Sequence, residues 1–320
     1  MGNRYRCAGT TSETYINGVI TNDKVDIKAL FLPVRCVENS ACFAELNNII
    51  YIANMTDYPA SESYIYTYDG KEFKRAVTFP LLQIQDICAF NNSIYFCDNL
   101  DLFRIDGDTV TAVTTIPEND GNNDYRLFSL GQSMYLLESR FVSAQEYGNT
   151  NNIYRFTGSG WSEVVQFSGV IEKPTCILFR NAIHILSDCY YYVQNQQGVW
   201  VGVISSIHKS FNGVSISDSI LIPEGWWMQR NAAYVFDNKL RVFTRKTDNG
   251  NVVEVLDFDG TSWTVINLLN FDGWISIENF IIRYGFQAFT LNGKQYLFNV
   301  NGSMMMEITN PIRLSQYFVS

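Results

Sequence analysis

Two histidines, seven cysteines and a scatter of acids are the residues of this 320-residue chain whose types could do chemistry. A zinc or copper centre needs imidazoles and thiolates at ligand spacing. Cys7, Cys36, Cys42, Cys88, Cys97, Cys176 and Cys189 form no C-x-x-C pair, and His184 and His208 are far apart, so no metal and no other cofactor is expected. His208, within Ile207-His208-Lys209-Ser210, reads as a titratable residue of a surface loop; His184 reads as packed in a strand. Asp57, Glu62, Asp120, Asp124, Glu138, Glu146, Glu224 and Asp272 fall between the apolar runs. Any two at the right separation could hydrolyse a glycoside, and some could bind calcium; a solvated ring of acids is the simpler reading. The chain has no Gly-x-Ser-x-Gly elbow, Walker sequence or dinucleotide fingerprint, so no catalytic residue is assigned and a non-enzyme is expected.

Charge narrows the partners. A formal net charge of −9 lacks the basic footprint of a nucleic-acid binder. No apolar run is long enough to span a bilayer, and the start of the chain has no apolar stretch of signal-peptide type. These features predict cytoplasmic synthesis without a signal peptide and no membrane insertion.

The elements that must position such residues are set by a repeat. Six segments share a bulky apolar anchor, a tight polar turn, and an apolar–polar or aromatic–apolar triplet. They are Leu46-Asn47-Asn48-Ile49-Ile50-Tyr51-Ile52, Phe90 to Phe96, Leu130 to Leu136, Phe179 to Ile185, Phe236 to Val242 and Leu291 to Leu297. Such a period signals an array of supersecondary units. Cys42, Cys88 and Cys176 precede anchors on the same strands and read as small buried thiols. After most anchors comes a second turn: Tyr68-Asp69-Gly70-Lys71-Glu72-Phe73, Ile105-Asp106-Gly107, Phe156-Thr157-Gly158-Ser159-Gly160-Trp161 and Phe258-Asp259-Gly260-Thr261-Ser262-Trp263, with a variant at Val193 through Gly198-Val199-Trp200. Asp-Gly and Asn-Gly accept positive φ cheaply and make hairpins. Each unit is therefore strand a, tight turn, strand b, loop, strand c, tight turn, strand d. In the second unit these are Asp86–Phe90, Ser93–Cys97, Asp101–Ile105 and Thr109–Ile116.

Six such units predict an all-β, six-bladed β-propeller of four-stranded antiparallel blades in a single domain, 1–320. The blades are expected at about 40–80, 85–117, 125–168, 174–206, 230–268 and 284–320, after an N-terminal arm, 1–38. Val25–Leu32 resembles a strand d and is expected to pair into the last blade, closing an open edge. Thr14–Ile20 offers a further strand, which would raise the count to seven blades. The period, anchor turns and the Gly-x-x-Trp before strand d are similar to the kelch family over about residues 40–310. The family's paired glycines after strand b are missing, so its partner-binding residues do not carry over.

Strand alternation puts the a–b and c–d turns on one side and the b–c and d–a loops on the other. The long connections are b–c (Ala53–Ser63, Glu138–Asn152, Arg245–Gly250) and d–a (Pro117–Asp124, Ile207–Arg230, Asn270–Arg283). Rigid scaffolds carry function on such loops. Tyr58, Phe141, Tyr147, Trp226, Trp227 and Trp274 fall there as candidate binding anchors for a protein or a sugar ring. With few lysines and Asn-, Tyr- and Ser-rich loops, the chain also resembles propeller proteins of tailed-phage virions. That resemblance implies a binding or assembly protein of a particle surface, engaging other particle proteins or a cell-surface glycan or protein. A glycosidase or lyase using loop acids, and an intracellular kelch-like scaffold for a peptide, are the alternatives.

Overall fold

The structure is a computed structural model; it describes residues 5–7, 14–16, 27–31, 35–36, 41–56, 62–80, 84–117, 123–140, 150–169, 171, 174–194, 197–218, 220, 222, 226–246, 253–266, 286–299 and 304–308. Every regular element in them is a strand. In chain order come β1 (Tyr5–Cys7), β2 (Thr14–Ile16), β3 (Ile27–Phe31) and β4 (Arg35–Cys36). The first repeat supplies β5 (Cys42–Leu46), β6 (Ile49–Thr56), β7 (Glu62–Tyr68) and β8 (Phe73–Pro80). The second supplies β9 (Asp86–Phe90), β10 (Ser93–Cys97), β11 (Asp101–Asp106) and β12 (Thr109–Thr115). The third supplies β13 (Asn123–Leu130), β14 (Ser133–Arg140), β15 (Thr150–Phe156) and β16 (Trp161–Ser168). The fourth has three strands, β17 (Thr175–Phe179), β18 (Ala182–Gln194) and β19 (Trp200–Phe211). The fifth has β20 (Trp226–Phe236), β21 (Lys239–Lys246), β22 (Val253–Phe258) and β23 (Trp263–Ile266). The sixth has β24 (Phe286–Leu291), β25 (Lys294–Asn299) and β26 (Met304–Ile308).

Each repeat is one antiparallel sheet, and the fold is an all-β propeller with four-stranded antiparallel blades. The sheet of β24, β25 and β26 gains its fourth strand from β3, with Ile27 opposite Ile308 and Phe31 opposite Met304, as the strand-d character of Val25–Leu32 requires. The first sheet carries a fifth strand, since β4 pairs with the end of β6 beyond β5. Thr14–Ile16 pairs with Tyr5–Cys7 in a separate two-stranded sheet.

The tight turns follow from their residues. Asn47-Asn48, Asn91-Asn92, Arg180-Asn181, Asp237-Asn238 and Asn292-Gly293 all have positive φ at both central positions, the twist-matched hairpin turn. At the third anchor only Gly131 is positive, at φ 61°. The c–d turns are closed by Asx side chains: Asp69 Oδ1 accepts from the backbone N–H of Lys71 and Glu72, and Asp259 Oδ1 from those of Thr261 and Ser262. These bonds hold the Asp69 carboxyl below the usual carboxylate range. Aromatic pairs staple the same hairpins, Tyr68 on Phe73 (4.4 Å between centroids), Phe156 on Trp161 (5.4 Å) and Phe258 on Trp263 (5.1 Å).

The fourth repeat departs from expectation. Gln194 pairs with Trp200, so β18–β19 is one long hairpin joining strands b and c, where strands b, c and d were expected. The true c–d turn is Phe211-Asn212-Gly213-Val214-Ser215-Ile216, where Asn212 Oδ1 accepts from the N–H of Val214 and Ser215. Past it the chain runs beside β19 without a full ladder: Phe211 bridges Ile216, Ser217 N–H donates to Ser210 O, and Ile220 N–H donates to His208 O.

By contact density the chain forms two compact units, Leu82–Arg230 and, from two segments, Met1–Leu81 with Asn231–Ser320. Within Leu82–Arg230 one apolar layer (Cys97, Leu102, Tyr125, Leu127, Met134, Leu136) fills the space between the second and third sheets, and another (Leu137, Ile153, Phe167, Ile183, Ile185, Phe211) that between the third and fourth. In the other unit Ile50, Ile52, Tyr68, Leu291, Tyr296 and Phe298 join the first and sixth sheets. The strand-b residues Ile50 and Ile52, Ile94 and Phe96, Met134 and Leu136, Ile183 and Ile185, and Leu240 and Val242 are buried, as their alternation predicts. Cys42 and Cys88 are buried, and Cys176 is half-buried.

Candidate functional site

The loop anchors are the first residues to place. Tyr58, Phe141, Tyr147 and Trp274 lie outside the described residues, as do Asp57, Asp120, Glu146, Glu224 and Asp272. Trp226 and Trp227 open β20, so their backbone is strand where a loop was expected. Strand a of the fifth repeat is extended toward the d–a connection.

Glu138 and Asp124 also sit in strands, β14 and β13, and Glu138 is 1% exposed. The ladder makes Glu138 the middle of a polar row: Tyr125 stands opposite Glu138, Glu138 opposite Asn152, and Asn152 opposite Gln166. Asn123 Nδ2 donates to Glu138 Oε1 at 2.6 Å; Asn152 Nδ2 (2.9 Å) and the Tyr154 hydroxyl (3.2 Å) donate to Oε2. Gln166 Nε2 extends the row by donating to Asn152 Oδ1 at 3.1 Å. Three strands of one blade thus meet at a carboxylate, and the fourth joins the row through Asn152. Three neutral donors offset its desolvation.

Arg126, one strand-pleat away, is 1% exposed. Its Nε donates to Pro174 O, and its Nη1 to Gln85 O (2.9 Å) and Tyr125 O (3.2 Å). Beside it, Leu127 N–H donates to Asp86 Oδ2 at 2.9 Å. One guanidinium therefore ties the entrances of three successive innermost strands. Burial pushes the nearby Cys88 thiol up to about 12, with the Asp86 carboxylate adding to the rise. Such a thiol is a packed group, not a nucleophile.

The histidines overturn their sequence reading. His208 is fully buried in β19, and its Nε2 lies 2.7 Å from His184 Nδ1. Ladder partners show why: His184 faces Ser210 and Leu186 faces His208, so the two imidazoles are diagonal neighbours across one hairpin. Twenty-four residues of separation concealed a contact that a long b–c hairpin creates. A bond between two imidazoles needs one N–H and one lone pair, so at most one ring can be charged. Burial lowers His184 to about 4 and His208 to about 3, where the His184 charge adds to the effect.

In the fifth sheet Arg241 stands opposite Asp257 and grips it bidentately, Nε to Oδ1 at 2.7 Å and Nη2 to Oδ2 at 2.8 Å, with both groups buried. Tyr234 lies against them, its hydroxyl pushed up to about 12 by burial while Arg241 opposes the rise. Among the described residues, no group of three or more His, Cys, Asp or Glu could hold a metal ion, and no helix is long and apolar enough to cross a membrane. No protein-family model and no curated protein matches the chain. These buried clusters secure individual blades and the joins between them. They leave the connections between blades as the candidate surface.

Proposed function

We propose that this chain is a non-catalytic binding and assembly module on a six-bladed propeller, engaging a glycan or protein through its long-loop side. The observation that carries the reading is an asymmetry of connections. Five of the six a–b turns have two central residues of positive φ, which is as short as a hairpin allows. Some of the b–c and d–a connections run far longer, from Arg140 to Thr150 after β14 and from Ile266 to Phe286 after β23, although Cys97 and Asp101 of the second blade are joined by three residues. Long connections on a rigid scaffold are where binding residues concentrate. The particle-surface setting, with other particle proteins or a cell-surface glycan or protein as partner, rests on the resemblance to tailed-phage virion propellers.

A glycan array and a binding screen against surface proteins test this with the wild type and Trp226→Ala/Trp227→Ala. Binding weakened at least tenfold in the double variant, with an unchanged circular dichroism spectrum, is the expected result. Binding untouched by both substitutions removes these residues from the site, and turnover of a glycan abolished by one loop acid replaces the reading with the glycosidase.

A further inference from the structure

We infer that the β18–β19 hairpin is a self-association element, through which two copies of this chain pair edge to edge. This goes beyond the loop-side reading and does not depend on its partner. The hairpin is out of proportion to its sheet. β17 ends its ladder at Thr175 opposite Leu186, yet β18 and β19 continue pairing from Ser187–Ile207 to Gln194–Trp200. At about 3.3 Å per residue this is a two-stranded ribbon roughly 26 Å long. A two-stranded ribbon is marginal on its own in water. Its two edges differ. The base of β19 is flanked by the segment whose Ser217 and Ile220 N–H groups donate to Ser210 O and His208 O. Along residues 188–194 β18 pairs with β19 and with no other named strand among the described residues.

Natural edges are protected by lysine, proline or bulges. This edge reads Asp188-Cys189-Tyr190-Tyr191-Tyr192-Val193-Gln194, with none of these. Asp188 is the only formal charge from Asn181 to Ile207, where a chain that is 17% charged would place four or five. Charge selects the occupant. Two copies at −9 each repel across most of their surface, and a nearly neutral ribbon is where they can approach. Antiparallel pairing about a two-fold axis at Tyr191 sets Asp188 opposite Gln194 and Tyr190 opposite Tyr192, so no like charges meet.

Sedimentation velocity from about 1 to 100 μM tests it on the whole protein. The wild type should shift from monomer to dimer over that range. Tyr191→Lys should stay monomeric to 100 μM with its melting temperature unchanged. Tyr191→Cys, mildly oxidised, should give a disulfide-linked dimer that the wild type does not. A wild type monomeric throughout, or a dimer unaffected by Tyr191→Lys and not captured by Tyr191→Cys, overturns the inference; in the first case an extended strand from a different protein becomes the occupant to seek.

Discussion

The buried His184–His208 pair makes a quantitative prediction about acid stability. An unfolded imidazole takes up its proton near pH 6.5, whereas the folded pair does so only at about 4 and about 3. Between those values the unfolded chain holds more protons than the folded one. Stability therefore falls as pH drops below 6.5 and levels off near pH 3. At pH 5 each histidine lowers stability by about 2 kcal/mol relative to pH 8, so the pair lowers it by about 4 kcal/mol. Against a total of about 5–15 kcal/mol for a typical domain, that is a large share. Urea unfolding at pH 8 and pH 5, on the wild type and on His184→Gln/His208→Gln, isolates it. The carboxylates titrate alike in both proteins, so the pH-dependent loss should shrink by about 4 kcal/mol in the variant whatever its starting stability. The chain has two histidines, so nitrogen-15 spectra of the rings should show both neutral at pH 5.5. Either ring titrating near pH 6.5, or a variant with the wild-type pH dependence, would refute the reasoning.

Other perturbations follow from single contacts. Asp257→Ala leaves the Arg241 guanidinium buried without its carboxylate and should cost about 3–5 kcal/mol in urea unfolding, whereas Arg241→Met/Asp257→Leu should cost far less. Gly131→Ala meets no neighbouring atom but forces a side chain to φ 61°, so it should destabilise by about 1–2 kcal/mol; Gly160→Ala, in equally open space without positive φ, should be near neutral. Asn212→Ala removes the acceptor that closes the fourth c–d turn and should lower the melting temperature by a few degrees, about 1 kcal/mol, with the β18–β19 contacts intact by hydrogen exchange.

Local chemistry was legible where local chemistry decides the structure. Asn-Asn and Asn-Gly turns fixed their own geometry, and the second repeat folds as β9 to β12 within one residue of its expected limits. The β3–β26 pairing was also readable, because Val25–Leu32 has the strand-d character of Arg75–Pro80. The fourth repeat was misread for a definable reason. Gln194-Asn195-Gln196-Gln197-Gly198 is a good turn sequence, and Phe211-Asn212-Gly213 is another. Only the ladder says which joins strands b and c. With that register wrong, His208 fell on a loop and its bond to His184 was invisible. Glu138 failed differently. A carboxylate at the end of a strand looks solvated until Asn123, Asn152 and Tyr154 arrive from two other strands, and no spacing rule brings them together.

The pairing of β3 with β26 also fixes an order of events. Every other blade ladder among the described residues joins segments near in sequence and can form as the chain emerges. Ile27 and Ile308 are about 280 residues apart, and closing a loop of that length costs about 5 kcal/mol in chain entropy before the ladder offsets it. β3 must therefore wait, edge exposed, until β26 has been synthesised. A ribosome-stalled chain cut short of Met304 should be the sticky species, protected by a chaperone or by an added peptide copying Met304–Ile308.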